Sequence, residues 1–166
     1  VKDITNLNSL TKWVQDQFDT RLNWDDVKRI KDWWGGKLII KGIMDPDDAK
    51  MAQKCGADAL VVSNHGGRQL DGVNSSISTL PEIKKAVSNM EVLMDGGISS
   101  GQDILKAIAM GAEGVMIGRS FVYGLSAGGK EGVTKSLEIL NKELDMTMAL
   151  CGRRDIKDVG LSLIHI

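Results

Sequence analysis

Cysteine is scarce in this sequence. Cys55 and Cys151 are the only two, far apart, without CxxC spacing and without histidines nearby. That pattern argues against a disulfide framework or a zinc site and fits a reducing compartment. A charge excess of either sign is also lacking, since 21 Lys and Arg face 22 Asp and Glu for a net charge of -1. No basic field is available, so nucleic-acid binding is disfavoured. No apolar run reaches the ~18 residues that suggest a membrane span. No G-x-G-x-x-G follows a first strand, which lowers the dinucleotide-binding form of an α/β sheet. No signal peptide is visible, but the sequence starts at Val1 rather than Met, so its silence on targeting is uninformative.

What is present is an ordinary globular composition, 42% hydrophobic and 26% charged over 166 residues, with one domain as the expectation. The first 21 residues are polar and read as a connecting segment, although Leu10, Trp13, Val14 and Phe18 are compatible with a short helix. Asn23 can cap a helix from Trp24 to Trp34, with Trp24, Val27, Ile30 and Trp34 as its stripe and acids in its first turn. All four tryptophans precede residue 35, and core packing is their expected role.

A rhythm of short apolar strand, polar turn and amphipathic helix then begins. Strands are expected at Leu38 to Ile43, Ala59 to Ser63, Val92 to Asp95 and Gly114 to Ile117. Helices fit at Pro46 to Cys55, Leu80 to Val87 and Gly101 to Met110, with the only two prolines, Pro46 and Pro81, near helix starts. GAD at Gly56 and GAE at Gly111 repeat as helix-to-strand connectors. A last helix, Gly132 to Leu150, should follow a glycine-rich link at Gly124 to Gly129. Four βα units with near-continuous apolar strands argue for a parallel sheet covered by helices. A closed (β/α)8 TIM barrel needs eight strands and ~250 residues, so the chain reads as half of one, strands 5 to 8, with a small doubly wound sheet as the alternative.

Chemistry concentrates in ALVVSNHGGRQLDG, Ala59 to Gly72. A buried strand ends there in a glycine-rich turn that carries His65 and Arg68, and the C-terminal ends of parallel strands are where ligands bind. Strand alternation puts Val61, Ser63 and His65 on one face, and Ile39, Lys41 and Ile43 on one face of the preceding strand. His65 suits a general base. Arg68 can hold a carboxylate through two parallel hydrogen bonds, and Lys41 can stabilise developing negative charge. Asp95, closing the next strand, is expected beside His65, where it would orient the ring. Gly96, Gly97 and Ile98 lead to Ser99, Ser100 and Gly101 at a helix start whose free N–H groups would make an anion site. Gly118 and Arg119 repeat that offer one strand later.

SNHGGRQLD, DGGI-x-x-G and MIGR, in this order and spacing, resemble the FMN-dependent α-hydroxy acid dehydrogenase and oxidase family. The tail KEGVTKSLEILNKELDMTMALCGRRDI is most similar to the bacterial L-lactate dehydrogenase-type members. The resemblance implies a (β/α)8 barrel that uses FMN to oxidise an L-2-hydroxy acid, with lactate the expected substrate, to the 2-oxo acid. It implies His65 as catalytic base, Arg68 on the substrate carboxylate, Lys41 beside the flavin N1 and O2 region, Ser63 on the flavin, and Asp95 paired with His65. It places Asp95 to Ser99, that is Asp95, Gly96, Gly97, Ile98 and Ser99, with Gly118 and Arg119, at the flavin-phosphate positions.

The sequence departs from the family pattern at Ser99, where arginine is usual, and at Val73 and Asn74, where Ala-Pro is common after LDG. The family's first four βα units and their flavin-contacting tyrosines have no counterpart here, so the chain alone is expected to be inactive. The expected division is 1–160 as the C-terminal half of the barrel and 161–166, LSLIHI, as a scar or truncated tail. The electron acceptor, whether quinone, cytochrome or oxygen, is left open. A homo-oligomer is expected of the full-length parent, located in the cytoplasm or peripherally at the inner membrane. Rival readings are another FMN- or phosphate-binding barrel and a non-catalytic half-barrel that self-associates through open strand edges.

Overall fold

A computed structural model of the chain describes residues 7–17 and 19–163. Phe18 and the last three residues of LSLIHI lie outside them. The N-terminal segment forms helix α1 (Leu7–Asp16), whose Leu10, Trp13 and Val14 remain exposed. Helix α2 (Trp24–Trp34) starts in a reciprocal capping box: the Asn23 side chain accepts from Asp25 and Asp26 N–H while Asp26 Oδ2 accepts from Asn23 N–H. Gly35, at φ 63, ends it in the left-handed conformation that glycine tolerates.

The expected alternation follows. Strands β1 (Ile39–Ile43), β2 (Ala59–Val62), β3 (Glu91–Met94) and β4 (Gly114–Val115) are separated by helices α3 (Pro46–Lys54), α4 (Ser76–Ala86) and α5 (Gly101–Ala109). All pairings are parallel and the spatial order is β1-β2-β3-β4, the chain order. One face of this sheet carries Leu60, Val62, Val92 and Met94 into a core with Ala49 and Ala52 of α3 and Leu80 and Ile83 of α4. Burying these side chains stabilises the α/β layer by roughly 1.5 to 3 kcal/mol for each large apolar group. The opposite face carries Ala59, Val61 and Ser63.

The two GA(D/E) connectors do the same structural work twice. Asp58 accepts from Lys31 Nζ at 2.5 Å, Lys37 Nζ at 2.8 Å and the Leu38 amide at 2.8 Å, so it ties α2 to the start of β1. Glu113 accepts from Lys84 Nζ of α4 and from the Val92 amide at 2.8 Å, tying α4 to β3. Each carboxylate thus clamps the helix and strand of the preceding unit from the mouth of the next strand.

Several expectations are corrected. Ile43 does not share a face with Lys41: a bulge at Gly42, φ 99, pairs Lys41 with Val61 and Ile43 with Val62, so Ile43 turns into the helix-covered core. Pro81 is not near a helix start. The Ser75 side chain accepts from Ser78 N–H and begins α4 at Ser76, leaving Pro81 inside the helix without the N–H that would bond four residues back. The tryptophans are not all core residues: Trp24 packs against the core, but Trp33 is 77% and Trp34 67% exposed. Trp33 instead lies under the Arg29 guanidinium, 5.2 Å away, and Trp34 Nε1 donates to the Lys37 carbonyl.

The last helix is longer than its pattern suggests. Helix α6 runs from Arg119 to Leu150, bent at Gly128 and Gly129. Its two arms touch through glycines, because a Cβ on Gly132 would lie 1.9 Å from the Gly124 carbonyl oxygen. The expected glycine-rich link is therefore the tight corner of a helical hairpin. Beyond it, Leu161–Leu163 form a 3-10 turn.

Candidate active site

Lys41 of β1 and the residues just past the ends of β2 and β3 meet in one place. Lys41 Nζ of β1 donates to Ser63 Oγ, just past β2, at 2.7 Å and to Asp95 Oδ2, just past β3, at 2.5 Å. Ser63 is 1% exposed, and its Oγ also accepts from the His65 amide at 3.1 Å. The Asp95 amide donates to the Val62 carbonyl, which extends the sheet ladder by one bond and holds the carboxylate beside β2. The Asp95 side chain is only 18% exposed, so its pairing with Lys41 is less screened by solvent than a surface ion pair.

The turn after β2 is built to expose the His65 side chain. Asn64 Oδ1 accepts from Gly66 N–H, Asn64 Nδ2 donates to the Asn74 carbonyl, and Ser76 Oγ accepts from Asn64 N–H. His65, Gly66 and Gly67 then run at φ 55, 68 and 70. A left-handed histidine is uncommon, and such residues cluster where function holds them. The imidazole stands against the backbone of Gly42: a Cβ there would lie 2.8 Å from His65 Cε1. Arg68 folds back by donating its amide to the His65 carbonyl at 3.4 Å, with its side chain exposed.

Lys41, Ser63, Asp95 and His65 are thus gathered at one end of the sheet, as expected. The Asp95 carboxylate, expected beside His65, accepts from Lys41 Nζ. Three roles escaped the sequence reading. Gly42 reads as part of an apolar strand until the His65 ring is seen against it. Asn64 organises the turn. Asp103, three residues after Ser100, is the acidic member of a capping box that the S-x-x-D pattern could have revealed.

Asp103 also changes the anion site. Its Oδ2 accepts from the Ser99 amide and hydroxyl and from the Ser100 amide and hydroxyl, all at 2.9 to 3.1 Å. Partial burial works to raise its pKa, but these four hydrogen bonds outweigh it and hold the carboxyl below its ordinary value. The Gly101 amide donates to Glu143 Oε2 of α6 at 2.9 Å. The N–H groups of Ser99, Ser100 and Gly101, expected to be free, are already taken by carboxylates. The start of α6 differs, since Gly118 precedes Arg119 with no side chain capping the first amides.

A cavity of about 450 Å³ opens between the turn after β2, the turn after β3 and the starts of α4, α5 and α6. Gly66, Gly67 and Gly97 line it in the left-handed conformation, with nothing within 4 Å of where a Cβ would stand. Asp103, Lys106 and Arg119 also line it. Among the described residues Lys106 and Arg119 are in no ion pair. Glycine backbone, two cations and an uncapped helix start form a donor set that suits a phosphorylated ligand.

Comparison with known proteins follows the same line. The family described as FMN-dependent dehydrogenase matches residues 2–166. An L-lactate dehydrogenase of Caulobacter vibrioides is 47% identical over 161 residues, covering 96% of this chain and 42% of that protein. One from Allorhizobium ampelinum is 49% identical over 157 residues, covering 94% and 41%. The structure of a mandelate oxidase with 3,3-difluoro-2-hydroxy-3-phenylpropionic acid superposes with a TM-score of 0.80 at 42% identity, covering 83% of this chain and 42% of that one. A mandelate oxidase variant with the monooxide FMN adduct gives the same TM-score and identity over 44% of its chain. The chain spans about two-fifths of the length of the curated relatives it matches.

Proposed function

Because this chain belongs to the FMN-dependent dehydrogenase family, we propose that it forms the C-terminal half of a (β/α)8 barrel that oxidises an L-2-hydroxy acid, L-lactate, to its 2-oxo acid. The observation that carries this reading is the convergence of Lys41, Ser63, Asp95 and His65 at the C-terminal ends of three adjacent parallel strands. Such ends are where barrel enzymes place their chemistry. FMN, when bound, would supply the two-electron acceptor, which also takes up one of the two protons released. The residues of this chain supply what remains.

Oxidation of a secondary alcohol also releases two protons, and His65 is the base that takes one of them at an imidazole nitrogen. Its side chain is exposed on a turn whose backbone is held by Ser63 and Asn64, so the ring is presented rather than buried. Arg68, three residues on, fixes the substrate carboxylate through its planar fork. Lys41 brings positive charge to the flavin pyrimidine edge, with Ser63 beside it, and Asp95 holds the ammonium in position. The same carboxylate favours the protonated imidazole once His65 has accepted its proton. Gly96, Gly97, Ile98 and Ser99 with Gly118 and Arg119 surround the phosphate end. Substrate side-chain selection and closure over the flavin belong to the four preceding βα units, so the 166-residue chain alone is inactive and its parent works as a homo-oligomer in the cytoplasm or at the inner-membrane surface.

The test is a chimera in which this chain replaces the matching stretch of the Caulobacter vibrioides enzyme. Flavin absorbance and L-lactate-dependent reduction of an artificial acceptor are expected. A folded, FMN-loaded chimera that oxidises no 2-hydroxy acid would defeat the reading.

A further inference from the structure

The anion-binding end of the cavity is assembled differently from what the helix-start pattern suggests. At α5 the Ser99 and Ser100 amides point to Asp103 and the Gly101 amide to Glu143, so three donors are unavailable and two carboxylates stand where an anion would have to come. An incoming dianion would have to displace charge-assisted bonds before making its own, a net loss at that position. At α6 no side chain caps the first amides, and Arg119 is its first residue. On the α5 side of the same cavity the positive charge available is Lys106, in no ion pair among the described residues and lining the space with Arg119.

Resting on the FMN reading above, we propose that Lys106 is a cofactor-binding residue, the second cation that with Arg119 and the start of α6 holds the phosphate monoester of FMN. Its position explains how a turn carrying Ser99 rather than a cationic side chain still meets a dianion: the charge comes from the helix body, one and a half turns in, and not from the turn. Asp103 then has a complementary duty. It keeps the 99–100 turn closed by accepting from both serine amides and both hydroxyls, which leaves the charge facing the ligand to Lys106 and Arg119.

The experiment compares FMN with riboflavin, which lacks the phosphate, by quenching of flavin fluorescence on titration with the flavin-free chimera described above, for wild type, Lys106→Gln and Lys106→Arg. Lys106→Gln is expected to weaken FMN binding by roughly tenfold to a hundredfold, the effect of one charge-assisted hydrogen bond, with riboflavin binding unchanged. Lys106→Arg should restore most of the FMN affinity. Rising salt should erode the wild-type preference for FMN over riboflavin more steeply than that of Lys106→Gln. Thermal melting without flavin should be the same for all three, because Lys106 is exposed and in no ion pair among the described residues. An unchanged ratio of FMN to riboflavin affinity in Lys106→Gln, or equal loss of both, would overturn the assignment of Lys106 alone. Failure of the wild-type chimera to bind either flavin would overturn the cofactor reading and this inference with it.

Discussion

Gly42 and His65 are packed against each other, the imidazole Cε1 occupying the space where a Cβ on Gly42 would come within 2.8 Å. Two conditions therefore fall on one residue. Its φ of 99 lies where side chains other than glycine are strained, and its missing side chain leaves room for the ring. The bulge it makes also sends Ile43 into the core while Lys41 stays with Ser63 and Asp95. One glycine sets the positions of both the cation and the base.

Gly42→Ala is accordingly expected to reach the chemistry before the cofactor. Backbone strain alone should cost about 1 to 3 kcal/mol of stability, and the displaced imidazole should lower turnover by at least tenfold. FMN affinity should fall much less. Kinetics of the chimera beside a flavin titration check this, and a variant with normal turnover would show that the His65 ring can move away without consequence.

Asp58 makes a prediction about pH. Lys31, Lys37 and the Leu38 amide, in that order, hold its carboxyl well below the ordinary carboxylate value. A depressed folded-state pKa contributes stability that is complete above the unfolded value of about 4 and is lost as pH falls below it. Asp58→Asn should therefore unfold at a lower urea concentration than wild type at pH 7, and the gap should narrow at pH 3. A gap of equal size at both pH values would mean that charge is not what Asp58 contributes.

The βα alternation was legible because each unit is local: an apolar run of four to six residues, a cap and an amphipathic stretch specify themselves, and the repeated GA(D/E) marks each return to the sheet. Parallel neighbours in chain order then follow from short connections. What stayed hidden depends on partners distant in sequence. Glu143 reaches Gly101 across 42 positions, and no pattern around DGGISSG signals that its amides are occupied. The bulge at Gly42 is invisible to strict alternation, which placed Ile43 beside Lys41. Trp33 and Trp34 read as core by composition, yet α2 buries no residue fully and leaves both outside. Strand ends gathered Lys41, Ser63, Asp95 and His65 as expected, while the partner of Asp95 was a matter of side-chain reach.

The helical hairpin of α6 should be intolerant of side chains at its crossing. A Cβ on Gly132 would meet the Gly124 carbonyl oxygen at 1.9 Å, a backbone atom that cannot rotate away. Gly132→Ala should lower the unfolding midpoint despite the better helix propensity of alanine, which by itself would add roughly 1 kcal/mol. The exposed, uncrowded Gly128→Ala serves as the comparison, with a much smaller change expected. Equal melting of Gly132→Ala and wild type would mean that the two arms are not in contact in solution.

Arg68 separates a hydroxy-acid enzyme from a barrel that merely binds a phosphorylated ligand. Its side chain is exposed and in no ion pair among the described residues, and it stands three positions from His65 at the end of the same turn. If it clamps the substrate carboxylate, a charge-retaining Arg68→Lys change still does harm, because an ammonium cannot make the two parallel bonds that orient the substrate carbon. Loss of one charge-assisted bond of about 1.5 to 3 kcal/mol corresponds to roughly tenfold to a few hundredfold in kcat/KM. FMN affinity should hardly move, since the cavity that suits the phosphate is lined by Gly66, Gly67, Lys106 and Arg119 and not by Arg68. L-lactate kinetics and flavin titration of the chimera, with and without Arg68→Lys, measure the two effects separately. A variant that lost FMN but kept normal kinetics at saturating flavin would move Arg68 to the cofactor and leave the substrate carboxylate without its partner on this chain.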